Sequence, residues 1–114
     1  MIGITDVIDA QIAAYRERDL QRFLDCYAAD VVIRDFDGNV LMDGLEVMRE
    51  RYGQLFRASP NLAVQIPSRI VVGDHVIDEE HVTGFNLPGS PSELQAVAIY
   101  KVRDQKICSV VLIS

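Results

Sequence analysis

The sequence predicts an α+β fold in which three N-terminal helices pack into a curved antiparallel β-sheet. Three observations carry this. Apolar residues recur at helical spacing through the first half of the chain, and from Leu62 onward the pattern becomes extended. Helices come first and strands after, an order that favours antiparallel pairing because parallel strands need a crossover between them. At 114 residues the chain has room for one domain, residues 1–114, with a real core and little space for a second.

Ile4, Val7, Ile8, Ile12 and Tyr15 form one apolar stripe, predicting a first helix over Thr5 to Arg18 with Asp6, Asp9, Arg16 and Glu17 on its polar face. Asp19 is a good N-cap, and Leu20, Phe23, Leu24 and Tyr27 supply the stripe of a short second helix. After Ala28-Ala29-Asp30 the period switches to extended, so a strand is expected over Val31 to Phe36. A turn at Asp37-Gly38-Asn39 leads to a short partner strand at Val40 to Met42. Asp43 precedes Glu46 by three residues, a capping-box-like start for a third helix striped by Leu45, Met48, Tyr52, Leu55 and Phe56 and ended by Ser59-Pro60-Asn61. Three β-rich runs follow, Ala63 to Val72, Val76 to Phe85 and Leu94 to Val102, with a last run over Lys106 to Ile113. Turns separate them at Gly73-Asp74, Asn86 to Ser92 and Arg103-Asp104-Gln105. A sheet curled against helices leaves a pocket between the layers, the default place for a ligand.

Composition excludes several classes of partner. Net charge is −6 and the 11 basic residues are dispersed, which argues against nucleic acid. No apolar stretch approaches the roughly 20 residues of a membrane span, and the N-terminus lacks signal-peptide regions, so no membrane partner and a cytoplasmic location are expected. Cys26 and Cys108 lack metal-ligand spacing and are expected to be buried thiols. His75 and His81 fall on one face of one strand but too far apart to share an ion, so no metal is expected. Nucleophile motifs and phosphate-cradling glycine loops are absent from the sequence.

Asp35, at the far end of the first strand, is either a base in an apolar cavity or a solvated residue where strand meets turn. Tyr15 and Tyr52 lie on apolar helical stripes, as packing residues with a wet hydroxyl or as pocket lining. Asp78-Glu79-Glu80-His81 interrupts an otherwise apolar strand, and alternation must turn two of these side chains inward or onto an interface.

The Arg18-Asp19-Leu20 helix break, Ala29-Asp30 before the first strand, Asp43-Gly44 before the third helix, and Tyr100-Lys101-Val102 followed by a turn and Lys106-Ile107 span essentially the whole chain. Together they resemble the cone-shaped fold shared by nuclear transport factor 2, ketosteroid isomerases and SnoaL-like polyketide cyclases. In such isomerases one carboxylate shuttles a proton while a Tyr and a protonated Asp hold the enolate. The resemblance places Asp35 at the base position and Tyr52 at a supporting Tyr, whereas Gln11 stands at the oxyanion Tyr and Ala98 at the oxyanion Asp. It also points Asp78, Glu80 and Val82 inward, making Glu80 a second acid/base candidate, against a salt bridge to Arg34 or Arg69; a one-residue slip would turn His81 inward instead.

The expectation is therefore a small enzyme of isomerase, cyclase or dehydratase type acting on a small hydrophobic molecule without cofactor, with Asp35 and Glu80 as proton-handling residues and poor activity on a 3-ketosteroid. The alternative is a non-catalytic ligand-binding or dimerisation module of the same fold, which a solvated Asp35 would favour. A protein-docking adaptor is a third reading, without a docking motif to support it. The expected cavity lining is Ile12, Tyr15, Leu24, Tyr52, Phe56, Glu80, Val82, Ala98 and Val110. Val97, Ile99, Val111 and Ile113 on the outer sheet face predict a homodimer.

Overall fold

A computed structural model describes residues 3–114. The chain runs α1 (Ile4–Glu17), α2 (Leu20–Asp25), β1 (Tyr27–Asp35), β2 (Val40–Asp43), α3 (Leu45–Ala58), β3 (Ala63–Val72), β4 (His75–Thr83), β5 (Glu93–Arg103) and β6 (Lys106–Ile113). The six strands form one sheet in the order β2-β1-β6-β5-β4-β3. No helix among the described residues is long and apolar enough to cross a membrane.

The helices form where the stripes place them. Asp19 caps α2 by accepting from Arg22 N at 3.2 Å, and Asp6 folds back on α1 to accept from Gly3 N at 2.8 Å. The start of α3 departs from expectation. Asp43 ends β2, and the N-cap is Gly44 at φ 92°, ψ 163°, with no side-chain cap. Gly44 N donates to Val31 O at 2.8 Å, so a backbone conformation open to glycine replaces the expected capping box.

Two further differences concern the sheet. Four of its five pairings are antiparallel, but β1 lies parallel to β6, because the chain between them crosses over α3 and the rest of the sheet. Strand β1 also begins at Tyr27, not Val31. Tyr27 pairs with Ile107, and its ladder to β6 shifts register before Val32, so tertiary pairing takes a residue that helical spacing assigned to α2. Phe36 falls beyond the strand and is exposed.

Register shifts interrupt the β1–β2, β3–β4 and β5–β6 ladders as well, and such bulges bend strands toward a closed cone. Pro67 sits at the β3 shift, on an edge strand where no ladder donor is needed. The inward phase of β4 and β5 presents Val76, Val82, Ala96, Ala98 and Tyr100 to the helices, and Ile8, Phe23, Leu24 and Met48 close the core from the other side. Each fully buried large apolar side chain contributes roughly 1.5–3 kcal/mol. Arg69 ties the layers together. Its guanidinium grips buried Asp78 with two bonds of 2.6 and 3.0 Å and reaches Asp9 of α1 at 2.6 Å.

Candidate functional site

Between the helices and the inner sheet face lies a cavity of about 190 Å3. Most of its wall is apolar, from Ile12, Phe23, Ile33, Leu55, Val64, Val82, Phe85, Leu94, Ala96, Val110 and Leu112. Its polar side chains include Gln11, Tyr15, Tyr27, Tyr52, Glu80 and Tyr100.

Four of these form a hydrogen-bonded chain. Tyr27 Oη donates to Gln11 Oε1 at 3.1 Å, Gln11 Nε2 donates to Tyr100 Oη at 3.1 Å, and Tyr100 Oη donates to Glu80 Oε2 at 2.8 Å. Gln11 occupies the acceptor side of Tyr100, so the phenolic hydrogen is directed at the carboxylate. Burial pushes the Glu80 carboxyl above its ordinary pKa, with the Tyr100 bond opposing and the charge of Asp78 adding. Such a shift brings a carboxylate closer to the range in which it both accepts and returns protons near neutral pH.

Tyr15 and Tyr52 complete the polar set. Their rings pack edge-on at a centroid distance of 6.5 Å, each also against Phe23 and Phe56. Neither hydroxyl bonds to another described residue, and both line the cavity. Burial raises both pKa values, with Glu80 contributing, so each remains a neutral O–H able to donate.

Asp35 is elsewhere. Its carboxylate accepts from Asp37 N at 3.0 Å, Asn39 N at 2.9 Å and Asn39 Nδ2 at 2.9 Å, closing the β1–β2 turn, and it is not part of the cavity wall. Those bonds, led by the Asn39 side chain, lower its pKa. The expected apolar surroundings for Asp35 are therefore not found, because a turn rich in donors captures it first.

Ile12, Tyr15, Tyr52, Glu80, Val82 and Val110 line the cavity as the stripes and strand phase indicated, whereas Leu24, Phe56 and Ala98 are buried in the core without reaching it. Arg69 pairs with Asp78, not with Glu80, and His81 lies outside the cavity wall against Glu93. Sequence reasoning assigned no polar role to Tyr27 or Tyr100 and treated Gln11 as a lost donor. The one available signal was Gln11 itself, a polar residue on the Ile8–Ile12 stripe that needs a buried partner.

A family model described as a SnoaL-like domain matches residues 8–110. An uncharacterised cystatin-fold protein from Novosphingobium aromaticivorans is 27% identical, with a TM-score of 0.89 and full coverage of both chains. A Catenulispora acidiphila protein with a ketosteroid isomerase-like fold, solved with trimethylamine, is 22% identical at TM-score 0.76, covering 96% of this chain and 85% of its own. TerC, co-crystallised with polyporic acid, is 21% identical at TM-score 0.78, covering 96% and 89% respectively. A search of curated proteins finds no match. With its cone of helices in a bent sheet and a match over nearly its whole length, the chain belongs to the SnoaL-like domain family.

Proposed function

We infer that the protein binds a small, mainly apolar carbonyl or enol compound in the cone and moves a proton on it without a cofactor, with Glu80 as the proton-handling group. One observation carries this reading: Glu80 and the unpaired Tyr15 and Tyr52 hydroxyls face the same apolar cavity. The Glu80 carboxylate takes a proton from the carbon next to the carbonyl, the electron pair moves onto oxygen, and the tyrosine hydroxyls hold the resulting enolate. Protonated Glu80 then returns the proton at the same or a conjugated carbon. Family membership and the co-crystallisation of TerC with polyporic acid support a small-molecule ligand in the cone. We further propose that the protein acts as a homodimer and that neither nucleic acid nor a membrane is among its partners.

The test is exchange of α-hydrogens for deuterium in a panel of small ketones, followed by NMR. Glu80→Gln is expected to lower the protein-catalysed rate by about 10²- to 10⁴-fold, the usual contribution of a positioned base. Tyr15→Phe and Tyr52→Phe lower it as well, and Asp35→Asn leaves it unchanged. A second reading, non-catalytic binding, is favoured by the capture of Asp35 in its turn; ketone binding with no exchange in the parent decides for it.

A further inference from the structure

At about 190 Å3 the inner cavity falls below the roughly 300–1,000 Å3 typical of small-molecule sites. A second compartment of about 340 Å3 lies against it, and the two share Tyr52, Leu55, Phe85 and Leu94 as wall residues. Its outer wall is the segment between β4 and β5, which contributes Leu87, Ser90 and Pro91. That segment is anchored: Asn86 N donates to the buried Ser59 Oγ at 3.0 Å, Asn86 Nδ2 to Ala58 O at 3.1 Å, and Phe85 N to Ser92 O at 3.3 Å.

The two compartments differ in charge. Glu80 marks the inner one, and Arg51 is the charged side chain of the outer. Arg51 Nη1 donates to Leu41 O at 3.2 Å, and the guanidinium makes no salt bridge with a described residue, so donors remain for an anion. A carboxylate placed inside would meet Glu80, a like-charge cost in an apolar wall. An anionic end belongs at Arg51.

We propose that one elongated ligand fills both compartments: a hydrophobic keto acid with its carbonyl at Glu80, its apolar middle against the shared Tyr52 and Phe85, and its carboxylate at Arg51. The inference rests on the role assigned to Glu80 above.

Levulinic acid, its longer straight-chain methyl-keto homologues and the matching acid-free methyl ketones serve as probes in calorimetric titrations. In the parent, an acid of matching length binds up to about fivefold tighter than its acid-free ketone, the scale of an exposed ion pair. Arg51→Met abolishes that preference while ketone affinity is kept. Ser90→Trp, which fills the outer compartment from an exposed position, weakens the long members more than the short ones. Equal affinity of acid and ketone, an acid preference that survives Arg51→Met, or indifference of the long members to Ser90→Trp overturns the inference, and Glu80-dependent exchange on the ketones then leaves the functional reading standing. If no ketone binds the parent, both are overturned.

Discussion

Glu80 and Asp35 are both carboxylates on strands, yet their surroundings drive them in opposite directions. Asp35 is solvated by the donors of its own turn and held below its ordinary pKa, while Glu80 is desolvated by the cone and held above it. A carboxyl whose folded pKa is raised binds more protons in the native state, so stability falls as pH rises from the unfolded value through the folded one and levels off above it. Glu80→Gln, which mimics the protonated form, should therefore flatten the pH dependence of the melting temperature over that window and cost least at the alkaline end. An unchanged pH profile in the variant would deny that Glu80 is perturbed. Asp78 shows the opposite arrangement, a fully buried carboxylate whose charge is met by Arg69. Arg69→Met leaves that charge unpaired and should destabilise by about 3–5 kcal/mol in urea titrations, with partial recovery in Arg69→Met/Asp78→Leu. A loss below about 1 kcal/mol, the scale of surface pairs, would show that water already reaches Asp78.

Among the elements, the link after β4 is the most tightly specified. Gly84 has φ +82°, and a Cβ there would lie 2.1 Å from Asn61 O. Gly89 has a similar φ of +78° with open space around it. Gly89→Ala should cost only the left-handed strain of about 1–2 kcal/mol, and Gly84→Ala clearly more, because the clash is with backbone; equal melting temperatures for the two would contradict this contact. Such details were not legible in the sequence, though most elements were. Stripes such as Leu45–Met48–Tyr52 encode burial locally, whereas strand alternation alone leaves Glu80 and His81 both open as the inward group of β4, and the family resemblance is what favours Glu80. Tyr27, Gln11 and Tyr100 meet only when residues 16 and 89 positions apart are brought together by the closed sheet. No local period signals that. For Asp35 the sequence leaves a cavity base and a solvated turn residue both open, and the donors of its immediate neighbours Asp37 and Asn39 hold it in the turn.

For the whole molecule, the outer sheet face remains to be covered. Ile70, Ile77, Ile99 and Val111 stand in one cross-strand row over β3, β4, β5 and β6, flanked by Val97 and Ile113. Ile70 is 58% and Ile113 37% exposed, an apolar strip that a second copy would bury. Light scattering at micromolar concentration should give twice the chain mass, and Ile99→Lys should return a monomer that keeps its fold; a monomeric parent would refute the interface. Function, in contrast, turns on the interior of one cone and on which carboxylate faces its contents. Carboxyl-resolved NMR titration of the parent, with and without a bound ketone, addresses this most directly. Glu80 is expected to titrate above the ordinary carboxylate range and to shift on ketone binding, while Asp35 titrates below it and does not move. A ketone-sensitive Asp35 beside an unperturbed, unresponsive Glu80 would contradict this expectation.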